Sequence, residues 1–153
     1  EDHDLSWQIR LLGKKIMVTP KAVIYHHYHF HKGRGKFHSS EKNRLHILLK
    51  NMEWKTLCLV FPALVAVECA QLAHSLMNGW FILKIKSYIE LLELLPRILQ
   101  KRRQIQRRRR LSDGAIVRLY QGTLAVSGVK HPLLDNLLSP ILNAWWSFIR
   151  SWV

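Results

Sequence analysis

Three carboxylates stand within the first four residues, Glu1, Asp2 and Asp4, in a chain that is otherwise strongly basic. Clustered acids serve three chemistries. They cap a helix, because carboxylates accept from the free N–H groups of a first turn and suit the positive end of its dipole. They hold a hard divalent cation, as the Asp2-His3-Asp4 spacing would allow, since Mg2+ and Mn2+ prefer oxygen ligands. They also take a proton from a hydroxyl that is about to attack, the work of a general base. Residue types alone leave all three open.

Two further clusters carry chemical potential. The run YHHYHFH places His27, His29 and His31 on one face of an extended strand and His26 on the other. Such a set suits zinc, which takes three or four nitrogen or sulfur ligands; an exposed His-bearing loop is the alternative. Between Arg97 and Arg110 there are eight basic residues and no acid. A solvated helix face accounts for that run, and so does a segment lying on an anionic leaflet, where each cation adds about 1 kcal/mol. Nucleic acid is not expected as a partner, because the run lacks interleaved aromatics and any recognisable binding module.

The elements around these clusters follow from pattern. Leu5, Ile9 and Leu12 form an i, i+4, i+7 stripe behind Asp4 as an N-cap, and Gly13 stands where a helix ends. KIMVTP reads as a short strand stopped by Pro20, and AVIYHHYHF as a second. HKGRGK is a basic, glycine-containing loop. Ser40 then caps a helix over EKNRLHILLKNM, whose Leu45, Leu48, Leu49 and Met52 share a face. Residues 57–83 are nearly continuously apolar but interrupted by Pro62, Glu68, Gln71 and His74. A spanning helix needs about 20 apolar residues and tolerates a central charge at a cost of a few kcal/mol. A single pass, an interfacial hairpin and a buried core helix are the alternatives. An amphipathic helix kinked at Pro96 follows, then a short helix from Ser112 and Asp113, then a tail with three Trp and a Phe, as interfacial helices carry.

Composition agrees with membrane contact. The formal charge is +14, with 24 Lys and Arg against 10 Asp and Glu, and 48% of residues are hydrophobic. Disordered polybasic tails lack so much apolar material, so the charge flanks buried or lipid-facing segments, on the cytoplasmic side by the positive-inside rule. Cys58 and Cys69 lie in the most apolar region and read as small hydrophobes in a reducing compartment. No initiator Met precedes Glu1, so the sequence is expected to continue upstream.

Taken in order, EDHDLSWQIRLLGKKIMVTPKAVIYHH resembles one stretch of the family 2 glycosyltransferases, in particular their bacterial rhamnosyltransferase-like branch. There an acidic pair opens a helix with the pattern D-L-x-x-R-x-x-x-x-G, followed by a strand, a Pro, a second strand and a His. Here these are Glu1-Asp2, Asp4-Leu5, Gly13, KIMV, Pro20, AVIY and His26. The later KFHSSEKNRLHILLKN is similar to the family's R-N-x-L-x-x-L-x-K-N continuation through Arg44, Leu45 and the Lys50-Asn51 pair. Gln8 stands where the family commonly has Arg, and the His run is richer than usual. The donor-site Asp-x-Asp of the family follows an apolar strand upstream of the acidic pair, so Asp2-His3-Asp4 is not that motif.

The resemblance implies an inverting sugar transferase. In fold it implies a mainly helical chain: the C-terminal edge of a GT-A α/β domain, one helix plus two short strands over residues 1–38, followed by an apolar and polybasic membrane-associated helical region, 39–110, and a helical tail, 111–153. Asp2 would be the catalytic base and Glu1 its neighbour, positioning the acceptor or tuning Asp2. His26 would complete the coordination of a Mg2+ or Mn2+ held mostly by the donor-binding half. Position and chemistry add Arg34 and Lys36 as cations offsetting charge on the leaving diphosphate. The partners implied are a nucleotide-sugar, a glycan or polyprenyl-linked acceptor, and an anionic membrane at whose cytoplasmic face the enzyme would sit, associated or single-pass. The competing readings are a non-catalytic basic membrane-surface module and a His-rich zinc-binding protein.

Overall fold

The computed structural model describes residues 2–25, 34–119 and 139–153. Within them the chain forms six helices: α1 (Asp2–Leu11), α2 (Arg34–Asn51), α3 (Trp54–Met77), α4 (Phe81–Arg108), α5 (Asp113–Val117) and α6 (Ser139–Trp152). The most extensive packing is between α2 and α4. Their contacts advance together, from Ser87 Oγ donating to the His38 carbonyl to Gln106 donating to the Asn51 carbonyl, so the two helices run parallel. The chain returns between them as α3, antiparallel to both.

Two glycines set the turns. Gly13, at φ 74°, closes α1: its N–H donates to the Arg10 carbonyl at 2.8 Å and that of Lys14 to Ile9 at 3.1 Å. Gly79, at φ 71°, closes α3, with the Trp80 N–H reaching Ser75 at 2.9 Å. Both turns are closed by return bonds that a residue in the left-handed region permits, paired at Gly13, and glycine takes that region without a Cβ penalty. The sequence pattern marks the first turn; the second, at Asn78-Gly79, divides what reads as one apolar run. Helix α3 passes through Pro62 and α4 through Pro96.

The expected edge of an α/β domain is not present: among the described residues there is no strand. KIMV and the described part of AVIY are extended chain without a ladder. Met17 and Val18 are 87% and 94% exposed, and Ile24 and Tyr25 are almost as open. The physical reason is that a strand is stabilised by its neighbours, and an isolated pair is marginal in water; among the described residues neither segment has a sheet to join. The local pattern of alternating apolar residues is real, but the cross-strand partners that would fix it are not supplied by these helices.

The core lies where α1, α5 and α6 close over the α2–α3 turn, with Trp7, Leu11, Met52, Leu57, Val60, Ile116 and Ile149 buried together. Two of the eight cations from the basic run are spent on this end of the molecule. Arg102 is buried; it donates at 2.5 Å to the carbonyls of Leu49 and Met52, satisfying the open end of α2, and its guanidinium lies 3.9 Å from the Trp54 ring centroid. Arg109 pairs with Asp113 at 2.6 Å and Glu53 at 3.3 Å. Arg97, Lys101, Arg103, Arg107, Arg108 and Arg110 remain exposed.

Helix α3 is long and apolar enough to cross a membrane. At 1.5 Å per residue its 24 residues extend about 36 Å, against a hydrocarbon core of about 30 Å. Only 17% of its most apolar window is buried by the rest of the chain, where the core helix of a water-soluble bundle is mostly buried. Phe61, Val65, Leu76 and Met77 face outward. The chain is membrane-associated in this sense.

Candidate functional site

Helix α1 carries the acidic cluster, and its position is fixed by Asp4. The Asp4 carboxylate accepts from Lys50 Nζ at 2.5 Å, Asn51 Nδ2 at 2.8 Å and Gln8 Nε2 at 3.0 Å. It lies inside the first turn of α1 and is turned sideways onto the end of α2, so the expected role as N-cap gives way to a tertiary clamp. Burial raises the pKa of this carboxyl, but the bonds from Lys50, Asn51 and Gln8 outweigh it and hold the group below its ordinary value.

A pH dependence follows. Because the folded-state pKa is lower than the unfolded value of about 3.9, the contribution of Asp4 is fully present above that value and disappears as pH falls through the lowered one. Stability measured against pH for the parent and Asp4→Asn is expected to differ at neutral pH and to converge in acid. A gap that persists undiminished at low pH would sink the assignment.

With Asp4 turned inward, Asp2 and His3 project from α1 as exposed residues. The His3 ring stacks on Trp7 at 5.5 Å between centroids. Both line a groove of about 450 Å³ between α1, α2, α3 and α6. Leu48, Val60, Leu64, Val67 and Trp145 form most of its apolar wall, and Arg44 and Gln71 lie at its far end.

Beyond that end is a cluster of ionised and polar groups joining α2, α3 and α4. Arg44 donates to Glu68, to Gln71 at 3.0 Å and to Glu41 at 3.2 Å. Lys84, with none of its side chain exposed, donates to Glu41 and to Gln71 at 2.5 Å and stands 2.9 Å from Glu68. The Tyr88 hydroxyl donates to Glu68 at 2.5 Å. Burial first, and donation to Glu68 second, hold that hydroxyl far above its ordinary pKa, so it stays protonated. Two cations and two carboxylates make the cluster neutral, which is how a charged residue can sit in an apolar helix. In the sequence Glu68 and Gln71 read only as interruptions of an apolar run. A carboxyl and a carboxamide inside a span were the available signal that partners exist; nothing in the spacing identified Lys84 or Arg44 as those partners.

Of the expected site residues, Asp2 is exposed at the start of α1. Glu1, His26 and the rest of the His run lie outside the described residues, as do the side chains of Arg34 and Lys36, whose backbone opens α2. Among the described residues no group of three or more His, Cys, Asp or Glu side chains is arranged to hold a metal ion. Cys58 and Cys69 are free and exposed. The chain matches no family model, no curated protein and no solved structure.

Proposed function

We propose that the chain is the base-carrying part of an inverting glycosyltransferase that moves a sugar from a nucleotide-sugar to a cell-surface glycan or lipid-linked acceptor at the cytoplasmic face of a membrane. One observation carries the reading. The two stretches that resemble family 2 enzymes, the acidic opening and the Lys50-Asn51 pair, meet through Asp4 across 46 residues of sequence. That contact holds α1 so that Asp2 stands exposed beside an apolar groove.

The chemistry is an in-line displacement. An acceptor hydroxyl loses its proton to the Asp2 carboxylate as its oxygen bonds to the anomeric carbon. The bond from that carbon to the diphosphate oxygen breaks, and its electron pair leaves with the nucleoside diphosphate. Attack opposite the leaving group inverts the configuration. Arg34 and Lys36 are assigned to offsetting the charge of the departing diphosphate. Nucleotide binding is assigned to a part of the enzyme outside residues 1–153.

The second reading, a non-catalytic membrane-surface module, draws on the outward apolar face of α3 and the six exposed cations of the Arg97–Arg110 run. Incubating membranes that contain the complete gene product with a panel of labelled nucleotide-sugars separates the two. The transferase reading expects label in a glycan or lipid-extractable product, with its anomeric configuration opposite to that of the donor. Retained configuration, or no transfer from any donor in the panel, contradicts it.

A further inference from the structure

We infer that α3 lies in the plane of the membrane, sunk into one leaflet with both of its ends on the same side. The inference goes beyond the transferase reading and does not rest on it. Between Lys55 and Met77 every exposed residue of α3 except His74 is apolar. Cys58, Phe61, Val65, Cys69, Ala73 and Leu76 form a single outward line at helical spacing. That line extends about 27 Å at the helical rise.

Helix α3 has the length to cross a bilayer, but its opposite side does not suit a crossing. Helices α2 and α4 flank it along that length. Met52 of α2 is buried in one cluster with Leu57 and Val60 at the first end. Further along, Arg44 pairs with Glu68, and Gln71 donates to Glu41 at 3.4 Å. Lys84 of α4 stands 2.9 Å from Glu68, close to the midpoint of α3. Within two turns of Lys84 lie the exposed Lys86 and the partly exposed Lys42–Glu90 pair, 2.8 Å apart. The exposed Glu93 follows on α4. A crossing α3 draws all of these ions into hydrocarbon, where ionised side chains are strongly disfavoured. An α3 lying flat leaves them in water and still covers its apolar line.

The occupant of that line is lipid and not a second copy of this chain. A formal charge of +14 repels another copy and attracts an anionic leaflet, and six cations of the Arg97–Arg110 run are exposed to meet it. Helix α6, which packs on α3, turns out Ile141, Phe148 and Trp152. Its rings form a row, Trp145 to Phe148 at 5.5 Å and Phe148 to Trp152 at 5.7 Å. Trp-bearing amphipathic helices settle at the boundary between head groups and acyl chains, the depth of an in-plane α3.

The test uses the complete gene product bound to mixed phosphatidylcholine–phosphatidylglycerol vesicles, with a nitroxide on one cysteine at a time. Depth is read from the accessibility of the label to oxygen against that to a water-soluble nickel chelate. Labels go on Cys58, Ala66→Cys and Ala73→Cys, with each remaining native cysteine replaced by alanine. All three are expected at one depth in the upper part of a leaflet. A crossing helix places the label at position 66 about 10–12 Å deeper than the other two, which overturns the inference. Circular dichroism checks that each variant keeps its helical content, and Val65→Cys stands in for Ala66→Cys if that variant does not. Lys55→Cys and Asn78→Cys, at the two ends of α3, are both expected to react with an impermeant maleimide added outside the vesicles. Protection of either until detergent is added contradicts the in-plane arrangement. Spin–spin broadening at position 66 makes the face an interface between copies, and a chain that does not sediment with the vesicles has no membrane face. Either result also overturns the inference. Because depth is read without a sugar donor, its failure leaves the assignment of Asp2 untouched, and loss of that assignment leaves the depth result standing.

Discussion

Lys84→Met is expected to destabilise the folded chain by about 3–5 kcal/mol, the usual cost of removing one partner from a buried ion-pair cluster. Lys84 is fully enclosed and faces Glu41, Glu68 and Gln71 together. Its loss leaves two carboxylates to share Arg44 in a site from which water is largely excluded. The neutral variant Lys84→Met/Glu41→Gln removes one charge of each sign and leaves the Arg44–Glu68 pair intact. It is expected to recover most of the loss, because the penalty comes mainly from uncompensated charge and only in small part from the missing attraction. A double-mutant cycle in mild detergent, followed by chemical denaturation, measures the coupling directly. If the double variant is as unstable as the sum of the singles, the cluster does not act as a unit, and the attachment of α3 to the α2–α4 pair must lie elsewhere.

The larger functional effect is expected at Asp2. Asp2→Asn keeps the shape of the side chain and removes its ability to accept a proton, so transfer should fall by about 10²–10⁴, the typical worth of a positioned general base. The loss should appear in kcat at saturating donor, because the proposed roles give the donor to other residues and the acceptor hydroxyl to Asp2. Asp2→Glu, which restores a carboxylate at a slightly different reach, should recover part of the rate. Asp4→Asn should behave differently, since Asp4 works by holding α1 against Lys50 and Asn51. It is expected to lower stability and raise the KM for acceptor, with a smaller effect on kcat. Three acids that look equivalent in EDHD are thus separated by what each one touches.

How much of this was legible in the residues varies with the kind of signal. That α1 is a helix and that Gly13 ends it were readable from local chemistry, but its buried face was not: Leu5 and Leu12 of the expected stripe are exposed, and Trp7 and Leu11 face the core instead. The strands were not. KIMV and AVIY alternate as strands do, but a strand is completed by partners distant in sequence, and here no neighbouring element supplies a ladder. The ending of α3 at Asn78-Gly79 was readable in principle and was hidden by the apolar residues on either side. The partners of Glu68 were beyond reach, since Lys84, Tyr88 and Arg44 come from two other helices whose register only the fold decides. The same holds for the basic run. Arg102 and Arg109 are indistinguishable by type from their exposed neighbours, and only packing against the end of α2 and the start of α3 sets them apart. The base assignment for Asp2 came from an ordered resemblance, and the contact of Asp4 with Lys50-Asn51 adds to it a physical reason for the two stretches to occur together.

The most direct measurement is a single-turnover transfer assay on the complete gene product in membranes, with nucleotide-sugar binding titrated in parallel, comparing the parent, Asp2→Asn and Asp4→Asn. Asp2→Asn is predicted to bind donor as the parent does and to form essentially no product, while Asp4→Asn retains measurable transfer. Product formed by Asp2→Asn at the parental rate would contradict the account and remove Asp2 as the base.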